Sequence, residues 1–359
     1  MAVSFHSLTV SKIERQTPDA VAVSFDLPPD TADMFAFRPG QYVTLRAMID
    51  GRDIRRPYSI CSVPGSGTLT VGVKRVDSGA FSTLANTQLA VGDRLDVMPP
   101  DGRFGVEVGG VHDYLLIAAG SGITPMMSIA RTVLEREPNS RVTLLFGNRD
   151  SGSIMFHEAL DDLKDRYLSR LSVLHCLSRE THAVDLLNGR IDGARVREMA
   201  AGGIIDPPGA DAVFLCGPGG MIDDVSDTLR ALGVEAAAIR TERFTPADDA
   251  PTAPVIVEAT KAVAREGVAV DAILDGVHRR FLITDPRSSV LQAARDAGIE
   301  LPFSCAGGMC CTCRCRIVEG TTEMAVNYSL EPWEIDAGFT LACQSRPTSE
   351  RLVLDFDAV

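Results

Sequence analysis

The residues with the most chemistry in this sequence lie between Phe303 and Cys315, in the run FSCAGGMCCTCRC. Cys305, Cys310 and Cys313 follow C-x4-C-x2-C, and Cys343 stands further on within LACQ. That is the ligand spacing of a plant-type [2Fe-2S] cluster, whose irons need tetrahedral sulfur from bridging sulfide and cysteine thiolate. Ala306-Gly307-Gly308 lets the backbone approach those sulfurs and aim N–H groups at them. A structural zinc site or a disulfide knot would use the same residue type, but zinc favours paired C-x2-C. The spacing makes Cys305, Cys310, Cys313 and Cys343 the expected metal ligands and leaves Cys311 and Cys315 outside the set. Cys61 and Cys176 read as buried thiols.

Such a cluster accepts one electron at a time, so the next question is what feeds it. Arg56-Pro57-Tyr58-Ser59 opens an apolar strand. Its tyrosine offers a flat face to an isoalloxazine ring, and its guanidinium a charged fork to a diphosphate. Val73-Lys74-Arg75 and Gly79-Ala80-Phe81-Ser82 follow. Gly79 permits close backbone approach, and the Ser82 hydroxyl suits a phosphate oxygen. Taken singly, each is equally an ordinary strand or turn.

Further on, the apolar run Tyr114–Ala119 leads straight into Gly120-Ser121-Gly122-Ile123-Thr124-Pro125. A glycine turn between a buried strand and a helix turns backbone N–H groups toward a dinucleotide. The turn falls short of a full G-x-G-x-x-G, so alone it is also a plain βα connection. Apolar strands recur at Val142–Phe146, Leu171–Leu177 and Ala212–Cys216, with helical patterns at Phe156–Tyr167 and Met221–Leu232. Alternation of this kind predicts a doubly wound parallel sheet, with its ligand at the strand ends. Those ends carry Arg149, then Ser178-Arg179, then Cys216-Gly217-Pro218 and Met221. A hydroxyl and a guanidinium at Ser178-Arg179 suit a 2′-phosphate, which favours NADPH over NADH. Arg149 would add a second charge.

These sites need three kinds of scaffold. Residues 1–109 alternate apolar and polar in short runs broken by Pro-Pro, Pro-Gly and Asp-Gly pairs, which predicts an antiparallel β-barrel. Residues 110–245 are the doubly wound domain. Residues 246–254, rich in Pro, Ala and Asp, read as a linker. In residues 255–359, Val268–Leu274 and His278–Ile283 flank Asp275-Gly276, a hairpin signal. A short helix over Ser289–Ala297 precedes the cysteine loop, and Leu352–Phe356 is a closing strand.

Composition narrows the function. The 359 residues carry a formal net charge of −13, which argues against nucleic-acid binding and against an anionic membrane surface. No apolar stretch approaches the ~20 residues needed to span a bilayer. The first residues, MAVSFHSLTV, lack the basic-then-apolar pattern of an export signal. Nine cysteines without such a signal suggest a reducing cytoplasm and metal ligation rather than disulfides. The six histidines match no ligand spacing.

Together and in this order, the motifs resemble the ferredoxin–NADP reductase family with an attached plant-type ferredoxin. The resemblance implies a flavin barrel, a nucleotide domain and a C-terminal β-grasp domain. It implies FAD held by Arg56, Pro57, Tyr58 and Ser59, edged by Val73, Lys74 and Arg75, with Gly79, Ala80, Phe81 and Ser82 over the diphosphate. Gly120, Ser121, Gly122 and Thr124 would line the nucleotide. Cys216, Gly217, Pro218 and Met221 match that family's C-G-P-x-x-M signature beside the nicotinamide, and Phe244 would lie near the flavin. Ser59 and Cys216 are then the residues expected at the hydride-transfer face. Flavin converts paired electrons into single ones, so the implied activity is electron transfer from NADPH through FAD and [2Fe-2S]. The acceptor would be the oxygenase component of a multicomponent monooxygenase.

Gly147-Asn148-Arg149, Ser153-Ile154-Met155-Phe156 and the stretch Met324–Pro332 resemble reductases that serve a di-iron oxygenase epoxidising the aromatic ring of a CoA thioester. Reductases of Rieske-type ring or steroid hydroxylases share the domain order and are the alternative. A non-catalytic redox-sensing module is the alternative of another class.

Overall fold

The computed structural model describes residues 4–244 and 267–358. The linker expected at 246–254 lies outside them. The chain forms two compact units, one of His6–Ile54 with Tyr58–Phe244, the other holding the C-terminal residues together with Arg55–Pro57.

The first unit begins with strands β1 (His6–Thr17), β2 (Ala20–Asp26), β3 (Tyr42–Ile49), β4 (Arg52–Ser59), β5 (Thr68–Lys74) and β6 (Arg94–Val97). They form an antiparallel six-stranded sheet in the order β4-β3-β6-β1-β2-β5. Val10, Val23, Phe25, Val43, Leu69 and Val71 fill its core. Helix α1 (Ala80–Thr87) packs Phe81 and Ala85 into that core.

Strand β2 is buried on both faces. Val21, Val23 and Phe25 face the barrel core, whereas Ala20 and Ala22 join a second core shared with the nucleotide sheet. Alternation predicted the first face. The small alanines on the second let another layer come close, and Ser128 Oγ donates to Ser62 O at 2.7 Å across that seam.

The second sheet is parallel, with β7 (Asp113–Ala119), β8 (Arg141–Asn148), β9 (Leu171–Leu177), β10 (Ala212–Gly217) and β11 (Ile239–Arg243) in the order β11-β10-β7-β8-β9. Helices α2 (Ile123–Arg136), α3 (His157–Arg166), α4 (Gly193–Ala201) and α5 (Gly219–Ala231) alternate with its strands along the chain. Leu116, Leu144, Phe146 and Phe214 belong to the core of α2 and α3. Leu115, Ile117, Leu145 and Leu215 belong to that of α4 and α5. Burial on both faces explains why these strands read as continuous apolar runs. The order reverses at β7, so the turns after β7 and β10 face one crevice.

The second unit holds β12 (Val268–Leu274), β13 (Val277–Ile283), α6 (Val290–Asp296), β14 (Arg314–Glu319), β15 (Thr322–Met324), α7 (Pro332–Asp336), β16 (Phe339–Leu341), β17 (Ser345–Pro347) and β18 (Arg351–Asp355). The main sheet is mixed, in the order β13-β12-β18-β14-β16, as in a β-grasp. Asp275 and Gly276 take φ of 53° and 69°, the left-handed pair that a two-residue hairpin turn needs. Ser289 caps α6 by accepting a bond from Gln292 N at 3.2 Å.

Candidate functional site

The cysteine loop is drawn round its own sulfurs. Ala306, Gly308 and Cys311 take φ of 51°, 78° and 58°, and these reversals curl the chain. A Cβ at Gly308 would meet Gln344 Cγ at 3.0 Å, so only glycine lets Gln344 pack there. Cys305 N donates to Cys310 Sγ at 3.4 Å, Gly307 N to Cys305 Sγ at 3.3 Å and Gln344 Nε2 to Cys343 Sγ at 3.6 Å.

The four thiols fall into two couples. A hydrogen bond from Cys310 and backbone N–H groups bring the pKa of Cys305 down to about 7. A hydrogen bond from Cys313 lowers that of Cys343 in the same way. The donors Cys310 and Cys313 are pushed up, first by those bonds and then by burial. Among the described residues no set of three or more His, Cys, Asp or Glu is gathered for a single ion. Two couples are what a two-iron cluster asks for, with two thiolates on each iron. Cys311 Sγ instead donates to Ser329 O at 3.6 Å, and buried Cys315 lies 3.9 Å from Thr340 O.

Strand β4 carries Arg56, Pro57, Tyr58 and Ser59. The Tyr58 ring packs on Phe81 at 5.5 Å between centroids. Arg56 Nη1 donates to Arg55 O at 2.8 Å. Val73 is wholly buried, so only its backbone is offered outward, while Lys74 approaches Asp19 at 3.8 Å. Helix α1 starts at Gly79 with no side-chain cap, which leaves its first N–H groups for an anion. The Ser82 hydroxyl is spent on the turn itself, accepting from Val76 N and donating to Gly79 O, both at 3.1 Å. A Cβ at Gly79 would meet that oxygen at 2.5 Å. The Tyr58 ring, tilted 39° to Phe81, would face a flavin ring, and the uncapped helix start fits its diphosphate.

The nucleotide turns meet across the sheet. A Cβ on Gly122 would stand 2.1 Å from Cys216 O, and one on Gly217 would stand 2.6 Å from Met221 Cε. Glycine at both places lets the turn after β7 touch the end of β10. Thr124 Oγ1 donates to Ser121 O at 3.0 Å and holds that turn. Ser178 and Arg179 are exposed after β9, tied by Ser178 N to Asn148 O at 3.0 Å and Arg179 N to Arg149 O at 2.7 Å. Arg149 pairs with Asp19 at 2.9 Å. Phe244 is half-buried against the shared core.

Two residues that sequence reasoning did not assign join this site. Asn148, at the end of β8, is buried with both amide atoms unpartnered among the described residues. A buried amide lacking both bonds is the vacancy a polar ligand fills, so a dinucleotide fits here. Glu242 accepts a hydrogen bond from Ser59 Oγ at 3.0 Å and stands in register with Cys216. Burial pushes the Glu242 carboxyl up to about 8, against the Ser59 bond that lowers it. Burial, then Glu242, raises the Cys216 thiol well above its ordinary value. In the sequence Glu242 is marked only as the residue before Arg243-Phe244.

A flavin-type barrel, a parallel nucleotide sheet and a cysteine-looped β-grasp define the class: a pyridine-nucleotide-dependent flavin and iron–sulfur reductase. Residues 7–105 match the family described as oxidoreductase FAD-binding domain, 116–227 the oxidoreductase NAD-binding domain, and 272–348 the 2Fe-2S iron-sulfur cluster binding domain. The sequence is 43% identical over 357 residues to a subunit of the 1,2-phenylacetyl-CoA epoxidase of Escherichia coli, covering 99% of this chain and 98% of that one. It is 35% identical to the 3-ketosteroid-9-alpha-monooxygenase ferredoxin reductase component of Rhodococcus rhodochrous, over 97% and 96% of the two chains. Phthalate dioxygenase reductase shares the fold at TM-score 0.62 and 23% identity, covering 98% of each. The chain belongs to the family of ferredoxin reductase components of multicomponent monooxygenases. It is an oxidoreductase of FAD, NAD(P)H and [2Fe-2S] that works with an oxygenase component. No helix among the described residues is long and apolar enough to cross a membrane.

Proposed function

We propose that this chain carries electrons from NADPH to the di-iron oxygenase of a phenylacetyl-CoA epoxidase, in phenylacetate catabolism. The observation that carries the choice of acceptor is the end-to-end 43% identity to the epoxidase component, against 35% for the steroid monooxygenase reductase. When bound to this chain, a flavin would supply the conversion of a paired-electron donor to a single-electron acceptor.

The residues divide the work. Arg56, Tyr58 and Ser59, the backbone of Val73, Lys74 and Arg75, and the open start of α1 at Gly79–Ser82 hold the flavin. Gly120, Ser121, Gly122 and Thr124 receive the diphosphate of the nucleotide, and Ser178 and Arg179 its 2′-phosphate. Arg149 is committed to Asp19 in this structure, so its part in binding would require it to exchange partners. Cys216, Gly217, Pro218 and Met221 shape the nicotinamide pocket, closed by Phe244. Ser59 and Cys216 meet the hydride-transfer face. Glu242, whose carboxyl is pushed up toward about 8, accepts from the Ser59 hydroxyl and orients it. Cys305 with Cys310, and Cys313 with Cys343, take one iron each. The parts divide into a flavin barrel over 1–109, a nucleotide domain over 110–245, a linker at 246–254 and a cluster domain over 255–359. With all nine cysteines free of disulfides, the compartment we assign is the cytoplasm.

The test mixes the anaerobically purified chain and NADPH with candidate oxygenases. Reduction of the phenylacetyl-CoA epoxidase di-iron component much faster than of a Rieske-type steroid hydroxylase is expected. The reverse ranking would sink the assignment.

A further inference from the structure

From Ile317 to Ser345, a stretch that includes the fourth cluster cysteine, the chain contains no lysine, arginine or histidine, but does contain Glu319, Glu323, Glu331, Glu334 and Asp336. The structure sorts these carboxylates. Glu334 is fully buried, 2.9 Å from the Arg314 guanidinium, and is no part of the surface. Glu319 lies 3.5 Å from Arg351. Glu323, Glu331 and Asp336 are exposed.

Large apolar side chains are exposed in the same stretch. Tyr328 is 44% exposed, Ile335 44% and Trp333, the chain's only tryptophan, 62%. Single exposed apolar residues are ordinary. These three are distinctive because they crowd one short segment that is held rigid against the cluster loop. Tyr328 N and Ser329 Oγ both donate to Gly308 O at 3.1 Å. Glu331 and Glu334 close a capping box on α7, and Arg314, the residue after Cys313, anchors Glu334 from beneath. The buried ion pair thus fixes the short helix that holds the indole in water.

We propose that Trp333, with Tyr328 and Ile335 on the same segment, is the docking anchor for the oxygenase component. The matching face would be an apolar socket collared by lysine and arginine. Charge decides between occupants. Arg346 lies opposite Glu323 across the β15–β17 pair, but a second copy of this chain would still bring its own exposed Glu331 and Asp336 against these, and like charges at an interface repel. A basic collar would instead meet Glu323, Glu331 and Asp336. A rigid aromatic at the centre and charge at the rim is how hot-spot interfaces are built.

This inference rests on an oxygenase being the acceptor, and the experiment separates the two claims. The holoprotein, reduced with NADPH, is mixed with the oxygenase in a stopped-flow instrument. Trp333→Ala should lower kcat/KM for oxygenase reduction about tenfold or more. Ferricyanide reduction and the visible spectrum should stay as in the parent, and Trp333→Phe should recover part of the loss. Raising salt should weaken the parent and Trp333→Ala alike, whereas Glu323→Gln with Asp336→Asn should flatten that dependence. With 5-fluorotryptophan incorporated, the chain's single fluorine line should move when the oxygenase is added. A parent that reduces no oxygenase overturns the acceptor assignment and the docking with it. A competent parent matched by Trp333→Ala overturns the docking alone. A fluorine line that moves with the chain's own concentration makes the occupant a second copy and overturns it too.

Discussion

The cluster loop and the proposed hydride-transfer face are built in opposite ways. Three of the cluster cysteines sit within Cys305–Cys313, and the loop's own N–H groups point at their sulfurs. The hydride face gathers Ser59 from a barrel strand with Cys216 and Glu242 from adjacent strands of another sheet, and one hydrogen bond of 3.0 Å joins Ser59 to Glu242. A local site survives as a motif because its geometry is set by a few neighbouring dihedral angles. A distributed site exists only once two cores have formed and locked together.

That contrast can be broken most decisively at the cluster. Cys313→Ser should abolish the cluster's visible absorption while NADPH still bleaches the flavin band, since the hydride face lies wholly in the other compact unit. Cluster absorption that persists, or flavin reduction lost with it, would contradict the separation.

The nucleotide end gives the next largest effect. Arg179 is exposed and would meet the 2′-phosphate as a charge-assisted bond, worth roughly 1.5–3 kcal/mol. Arg179→Ala should therefore raise KM about tenfold or more for NADPH and leave NADH nearly unchanged. Equal changes for the two would remove the 2′-phosphate role.

Two glycines sharpen the comparison further. Gly122→Ala puts a methyl 2.1 Å from Cys216 O, whereas a Cβ at Gly220 would meet nothing within 4 Å among the described residues. The first should lose about 1–3 kcal/mol in chemical denaturation and the second almost nothing. Similar losses would mean that the close approach of these turns is not under strain.

Glu242 provides the smallest and most specific signal. Its carboxyl rises from 4.5 unfolded to about 8 folded, so the folded state holds the proton more tightly. The stabilising effect of that proton is complete below about 4.5 and is lost as pH climbs through 8. Relative to Glu242→Gln, the parent chain should lose melting temperature over that window and then level off. Parallel melting profiles would mean that Glu242 titrates normally.

The same division governs what could be read before folding. Continuous apolar runs gave the central parallel strands, because burial on both faces leaves no polar residue to choose; Tyr114–Ala119 falls within its strand Asp113–Ala119. Asp275-Gly276 gave its hairpin through the left-handed turn those residues tolerate. Strand β11 was missed because Ile239–Arg243 is half polar and its pairing with β10 lies far along the chain. Ser82 looked like a phosphate ligand, yet its hydroxyl closes its own turn. Glu334 stands among the exposed carboxylates Glu331 and Asp336 in the sequence, yet it is buried against Arg314.

By itself the sequence determined the cluster spacing, the order of flavin, nucleotide and iron–sulfur parts, and the strands of the doubly wound sheet. These depend on periodicity, turn chemistry and ligand spacing, which act over a few residues. Only the tertiary structure decided that Glu242 meets Ser59, that Asn148 is buried without partners among the described residues, and that Trp333 is exposed on a short helix tied down by the Arg314–Glu334 ion pair. Each of those depends on burial, and burial is a property of the packed whole.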